Sequence, residues 1–301
     1  MTPEHRGRFA PSPTGPLHFG SLVAAMASHA DARAARGAWL VRIEDVDVPR
    51  TVRGAEERIL RDLERHGFAW DGAVERQSQR TGRYQAAVES LAAAGLVYEC
   101  ACTRRELAAA PQRAGEPVYP GTCAHGIPAA HVRRAQRSLR LRVPRETIEF
   151  VDRVQGRQQQ VLARDVGDFV LRRADGWFAY QLAVVVDDGE QRVTSVVRGA
   201  DQLDSTPRQI FLQRALGLPT PSYLHVPVAV DAQGRKLSKQ TGAAALPADP
   251  LRALAAAWAF LAQRAPAAPP RTVGEFWRHA VAAWNVARVP AVRSLPPPEA
   301  P

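Results

Sequence analysis

Cysteine is scarce in this chain of 301 residues: there are three, an odd number, and two of them fall in Cys100-x-Cys102. That usage excludes a disulfide-stapled scaffold and points to a reducing compartment. Long apolar runs are missing too. No uninterrupted stretch could span a bilayer, and no signal-peptide core follows the charged start of the chain. A cytoplasmic protein without membrane segments is therefore expected. No internal repeat is present either, which excludes solenoid architectures. What the chain has in excess is positive charge, a formal +10 carried largely by arginine, with a pI near 10.4. Such a balance favours a polyanionic partner. The length suffices for a substantial core in one large or two modest domains.

One stretch organises the rest: Arg8-Phe9-Ala10-Pro11-Ser12-Pro13-Thr14-Gly15-Pro16-Leu17-His18-Phe19-Gly20-Ser21-Leu22. It reads as a short strand, then a turn set by prolines and a glycine, then a helix. From Ser21 to Arg36 the apolar residues Leu22, Val23, Met26, Ala30 and Ala34 recur at helical spacing, and Gly37 is the expected C-cap. Trp39 to Ile43 follows as a second apolar strand that ends in Glu44-Asp45. The unit is βαβ, so its strands should be parallel. Ligands of such sheets gather at the carboxyl ends of the strands, beside a helix N-terminus that attracts phosphate. His18 and Gly20 fall there.

Further along, Ala55–His66 and Thr81–Ala94 read as helices ended by Gly67 and Gly95. A less regular region holds Cys100, Cys102, Cys123 and a Pro/Gly-rich loop from Ala110 to Pro128. Phe169–Arg173 and Phe178–Leu182 flank Ala174-Asp175-Gly176-Trp177, a hairpin signal. Val193–Val197 reads as a buried strand and Thr206–Leu216 as an amphipathic helix. These elements predict an α/β protein with a Rossmann-like parallel sheet split by an insertion and followed by a mostly helical module. The expected divisions are 1–95 and 181–235 for the two halves of the sheet domain and 96–180 for the insertion. A loop and helical module would occupy 236–288, and 289–301, proline-rich and aperiodic, would be disordered.

Two short motifs in this order carry a family resemblance. His18-Phe19-Gly20-Ser21 looks like the HIGH signature of class I aminoacyl-tRNA synthetases, with Ser21 in place of the last histidine. Lys236-Leu237-Ser238-Lys239-Gln240 looks like their KMSKS signature, with Leu237 for methionine and Gln240 for the last serine. The likeness spans roughly 6–285 and includes Arg42–Asp47, Gly167–Arg172 and Arg198–Thr206, while Ala10–Gly15 resembles the glutamyl rather than the glutaminyl enzymes. The chain stops about where glutamyl synthetases begin their anticodon-binding domain. With its early Cys-x-Cys, it resembles the paralogous glutamyl-Q tRNA(Asp) synthetases.

That resemblance implies ATP-dependent activation of L-glutamate without tRNA, then transfer of the glutamyl group to queuosine in the anticodon of tRNA(Asp), by a protein expected to be monomeric. A short synthetase that charges a tRNA 3′ end and a catalytically silent RNA-binding protein are the alternatives. His18, Gly20, Ser21, Lys236 and Lys239 would bind ATP, with His18, Gly20 and Lys239 catalytic and Mg2+ accompanying the nucleotide. A glutamate ligand needs cations for its carboxylates and an acid for its ammonium. Arg8 would pair with the side-chain carboxylate, Ser12 add a hydroxyl and Glu44 hold the ammonium. Phe9, Ala10 and Pro11 would line the same pocket, which Tyr180 and Arg198 complete by resemblance. Cys100, Cys102 and Cys123 supply three thiolates where a structural Zn2+ wants four ligands. Tyr119 matches the family's tyrosine ligand, and His125 is the alternative. Arginines 133, 134, 137, 140 and 142 would form either a phosphate-binding face or an ordinary solvated one. The aromatics after Lys239 (Trp258, Phe260, Phe276, Trp277, Trp284) are expected in a core.

Overall fold

In the structure, a computed structural model that describes residues 5–113, 116–237 and 246–298, β1 (Arg6–Phe9) and β2 (Ala38–Ile43) flank helix α1 (Phe19–Ala34). The strands pair in parallel with Gly7 opposite Trp39. The end of α1 differs from expectation. Ala35 is the C-cap and Arg36 takes the left-handed conformation, with φ 54°. Gly37 instead donates its N–H to the Ala32 carbonyl at 2.8 Å. A Cβ there would collide with the His5 carbonyl, so close approach of the backbone selects this glycine.

The next elements are α2 (Ala55–Arg65), β3 (Glu75–Arg76), α3 (Thr81–Ala93), β4 (Val97–Cys100), α4 (Arg104–Ala108), β5 (Gln112–Arg113) and β6 (Glu116–Pro117). They are followed by β7 (Ser138–Leu141), β8 (Thr147–Asp152), β9 (Gly156–Val161), α5 (Leu162–Asp165) and β10 (Phe169–Arg172). The chain then runs through α6 (Tyr180–Glu190), β11 (Ser195–Gly199), α7 (Thr206–Ala215), β12 (Ser222–Val226) and β13 (Val228–Ala229). Last come α8 (Pro250–Phe260), α9 (Val273–Ala283) and β14 (Ser294–Leu295). The main sheet has seven strands in the order β3–β2–β1–β11–β12–β8–β9. Its neighbours are parallel except β8 and β9.

Three expectations change in detail. Within 96–180, strands β4, β7 and β10 form a separate antiparallel sheet, yet β8 and β9 extend the main one through Asp152 opposite Tyr223. The insertion is thus tied into the core sheet. The hairpin after β10 closes only by a bridge between Arg172 and Phe178. Tyr180 already starts α6, whose residues 182–188 are all buried, so helix packing on several sides overrides the strand pattern. The expected disordered tail is ordered over its described part, because β14 pairs with β13 and Val289 is buried. Two residues of pairing need no apolar periodicity.

Helix α1 lies between the sheet and the pair α8 and α9, and the late aromatics do form core: Trp258, Phe260, Phe276 and Trp277 are buried. Trp284 is partly buried and donates to Asp31 at 3.0 Å. His29 sits in this core with ring centroids 4.9 Å from Trp39, 5.4 Å from Phe68 and 4.4 Å from Trp277. Burial, aided by nearby Arg33, pushes its pKa down from 6.5 to about 3. A neutral folded-state imidazole that would take a proton once unfolded stabilises the fold fully above pH 6.5. That contribution is lost as the pH falls from there toward about 3. Between pH 7 and 5 the loss should be about 2 kcal/mol. Urea midpoints should fall over that range in the parent chain, with a shallower fall for His29→Phe. Equal slopes would refute this role.

Candidate active site

A cleft of about 700 Å3 opens at the carboxyl ends of β1, β2, β11 and β12. It gathers residues far apart in sequence: Arg8, Phe9, Ala10, Pro11, Ser12, His18, Gly20, Ser21, Glu44, Tyr180, Arg198 and Lys236 all line it. Lys239 lies outside the described residues. The two lysines of the chain, 236 and 239, stand three positions apart in sequence, against an otherwise all-arginine cationic complement. Lys236 pairs with Asp201 at 2.6 Å.

His18 is the N-cap of α1, and its Nδ1 accepts the Ser21 N–H at 3.3 Å. An accepting Nδ1 leaves the proton of a neutral imidazole on Nε2, where it can be donated to an anion. A Cβ on Gly20 would lie 3.3 Å from both Cε1 and Nδ1 of His18, so the glycine lets that ring sit flat on the helix start.

The deeper end of the cleft rests on buried charges. Asp188 takes the Nε and one terminal nitrogen of Arg8, at 3.2 and 3.5 Å. That leaves the end-on edge of the guanidinium, its two terminal nitrogens, for a ligand carboxylate. Arg42, fully buried, contacts Asp188 at 2.8 Å, Glu44 at 3.3 Å and Asp187 at 3.7 Å. Burial works to raise the Asp188 carboxyl, but Arg8 and Arg42 hold it below the usual range. For Glu44 burial wins over Arg42 and Arg8, and its pKa rises. Tyr180 is raised as well, by burial and by Glu44. Arg198 donates from Nε to His225 Nε2 at 3.0 Å and from a terminal nitrogen to Thr206 at 2.9 Å. Its other terminal nitrogen lies 3.5 Å from the Tyr180 hydroxyl. Sequence reasoning missed Arg42, Asp188, His225 and Asp152 as parts of this site. Arg42 stood in the Arg42–Asp47 stretch of the family likeness and Asp188 in a paired carboxylate closing an apolar run, while His225 and Asp152 gave no signal.

The cysteines converge away from the cleft. The Sγ atoms of Cys100, Cys102 and Cys123 lie within 4.8 Å of one another. Cys102 and Cys123 are 3.8 Å apart at sulfur, and the Tyr119 hydroxyl is 3.4 Å from Cys100 Sγ. The edge of a tetrahedron with zinc–sulfur bonds near 2.3 Å is about 3.8 Å, so the donor set fits zinc. A disulfide, with sulfurs about 2.05 Å apart, is a different geometry. Burial works to raise the Cys100 thiol, but hydrogen bonds from Tyr119 and Arg140 bring it down to about 7, whereas burial beside Cys100 pushes Cys102 up to about 12. His125 is exposed and outside the cluster.

The arginine face is largely committed within the chain. Arg134 makes a two-pronged pair with Glu106 at 2.7 and 2.9 Å, and Arg137 pairs with Glu99. Arg140 is buried over the Tyr119 ring, and Arg142 covers Tyr98.

The family profile described as tRNA synthetases class I (E and Q), catalytic domain, matches residues 4–254. A glutamyl-Q tRNA(Asp) synthetase from Burkholderia mallei is 58% identical over 300 residues, covering 96% of this chain and 99% of its own. The protein of that name from Aromatoleum aromaticum is 55% identical over 96% of this chain and 91% of its own length. Among solved structures, the glutamate-tRNA synthetase of Elizabethkingia anophelis superposes with a TM-score of 0.79 at 25% identity. The match covers 96% of this chain and 67% of that one.

Removing Arg42 would leave Asp188, Asp187 and Glu44 buried with a cation missing. Arg42→Met should therefore destabilise the fold by about 3–5 kcal/mol in urea titration. A change under about 1 kcal/mol, the size of an exposed pair, would contradict this account.

Proposed function

Because this chain belongs to the class I tRNA synthetases for glutamate and glutamine, in the branch of the glutamyl-Q tRNA(Asp) synthetases, we infer that it activates L-glutamate with ATP in the absence of tRNA. The glutamyl group then passes to queuosine in the anticodon of tRNA(Asp). The observation that carries this reading is one cleft joining a helix start that bears His18 and Gly20 to a pocket with Arg8, Arg198 and buried Glu44.

The first step brings two anions together, the glutamate carboxylate and the α-phosphate of ATP. Charge neutralisation and alignment therefore suffice, and no protein nucleophile is needed. His18 donates from Nε2 to a phosphate oxygen, beside the N-terminus of α1 and the backbone of Gly20 and Ser21. Lys236 and Lys239 neutralise the departing pyrophosphate. Mg2+ accompanies ATP; among the described residues, neither group of potential metal ligands lines the cleft. Arg8 binds the glutamate side-chain carboxylate with Ser12 beside it, Glu44 the ammonium, and Tyr180 and Arg198 the remaining polar edge. The walls formed by Phe9, Ala10 and Pro11 exclude water around them. A hydroxyl of queuosine then attacks the activated carbonyl carbon and AMP leaves.

Cys100, Cys102, Tyr119 and Cys123 would hold a structural Zn2+ that pins the loop between β4 and Cys123. The proposed enzyme is a cytoplasmic monomer; no helix among the described residues is long and apolar enough to cross a membrane.

The deciding experiment is glutamate-dependent ATP–pyrophosphate exchange without tRNA, followed by transfer of labelled glutamate to queuosine-containing and queuosine-free tRNA(Asp). Exchange, with label only on the queuosine-containing RNA, is expected. Label on the 3′ end of a glutamate tRNA would replace this reading with ordinary charging, and no exchange would favour a silent RNA-binding protein. Gly20→Ala, which presses on His18, should lower the exchange rate by about tenfold to a hundredfold without loss of fold. Metal analysis should find stoichiometric zinc that Tyr119→Phe weakens and His125→Ala leaves in place. The reverse pattern would transfer the fourth ligand to His125.

A further inference from the structure

The site reading gives Arg198 a carboxylate or polar edge of the amino acid, and the structure holds that arginine in an unusual way. Its side-on edge meets only uncharged acceptors, His225 Nε2 at 3.0 Å, Thr206 Oγ1 at 2.9 Å and the Gln202 carbonyl at 3.4 Å. Arg8, by contrast, is held directly by the Asp188 carboxylate. An arginine Nε–H can only donate, so His225 must present a lone pair at Nε2 and carry its proton on Nδ1. That Nδ1–H lies 2.6 Å from Asp152 Oδ2, and both side chains are wholly buried. With the opposite tautomer two N–H groups would face each other at Arg198, and the Asp152 carboxylate would face a lone pair.

Asp152 is itself fixed. Its Oδ1 accepts the backbone N–H groups of Val154 at 3.0 Å, Gln155 at 2.8 Å and His225 at 3.2 Å. Thr206, at the start of α7, donates to the Gln202 carbonyl at 3.3 Å while accepting from Arg198. Burial lowers the His225 pKa to about 4, with Arg198 acting in the same direction and Asp152 opposing it, so the ring is neutral near pH 7.

We propose that Asp152 and His225 are a positioning pair for amino-acid recognition: Asp152 locks the imidazole tautomer, and the imidazole orients Arg198 toward the cleft. The proposal rests on the reading of Arg198 as a glutamate-binding residue and adds what aims it. A neutral histidine orients the guanidinium while leaving its charge for the ligand; a carboxylate in the same place would offset that charge. Asp152 belongs to β8, so this strand of the inserted segment reaches Arg198 through His225.

The test uses the full chain and the variants His225→Leu, His225→Gln and Asp152→Asn, each checked for its melting temperature. In pyrophosphate exchange His225→Leu should raise the KM for glutamate about tenfold or more while that for ATP moves less than about twofold. Glutamine can return an acceptor to the position of ring Nε2, so His225→Gln should recover most of that loss. Nitrogen-15 NMR of the labelled histidines should find His225, assigned by its loss in His225→Gln, as the neutral Nδ1–H form, and Asp152→Asn should shift it toward a mixture. An unchanged glutamate KM in folded His225→Leu, or an equal rise in both KM values, would overturn the proposal. So would an Nε2–H tautomer in the parent chain. Absence of any glutamate-dependent exchange in the parent chain would refute the functional reading instead, while the tautomer measurement still decides whether Asp152 and His225 hold Arg198 as described.

Discussion

Arg42 has no solvent exposure, and three carboxylates face it. A buried cation of this kind is tolerated only where its partners are fixed in place, since an unmatched charge in the interior costs several kcal/mol. Asp187 is held in turn by Gln77 at 2.9 Å, Arg80 at 2.7 Å and Tyr84 at 2.8 Å. The requirement to keep this network complete locks α6 against β1, β2 and α3. Arg8 and Glu44, which face the cleft, inherit their positions from it. The rigidity of the pocket is therefore electrostatic in origin, and the apolar packing around α1 supplies the frame on which it stands.

What was legible in the sequence was what is local. The Pro/Gly turn and the helix that follows it announce the βαβ unit within about three dozen residues, and the His18 and Lys236 motifs add the family. His225 and Asp152 carry no such signal and Asp188 only a paired carboxylate at the end of an apolar run, because each acts through a partner that only the fold brings near: Asp188 meets Arg8 180 positions away, and His225 meets Asp152 73 positions away. The arginines from 133 to 142 illustrate the converse limit. As a run they left a phosphate-binding and a solvated face equally open, whereas the Glu99 and Glu106 carboxylates and the Asp168 backbone carbonyl approach from other elements and engage three of them. Net charge alone is silent about such internal pairing.

The insertion shows the same division between local and distant information. Its cysteines and tyrosine were readable as a donor set, but its attachment was not. Gly167, with φ 72°, passes so close to Tyr119 that a Cβ would strike that residue's backbone, which ties the cysteine loop to the segment leading into β10. Strands β8 and β9 then join the main sheet. The cysteine cluster and the main sheet are therefore tied to the insertion through backbone contacts.

The last described strand has a practical side. β14 lies along β13, the strand from which the Lys236 segment departs, and Leu237 closes back on Ala229 with a 2.8 Å hydrogen bond. Arg293 fastens the same ribbon to Asp204 at 2.8 and 2.9 Å. A purification handle fused behind β14 would hang from the ribbon that holds Leu237, and trimming the chain ahead of Arg293 would remove both the β13–β14 pairing and the Asp204 contact. Protein engineering on this scaffold should leave that end untouched.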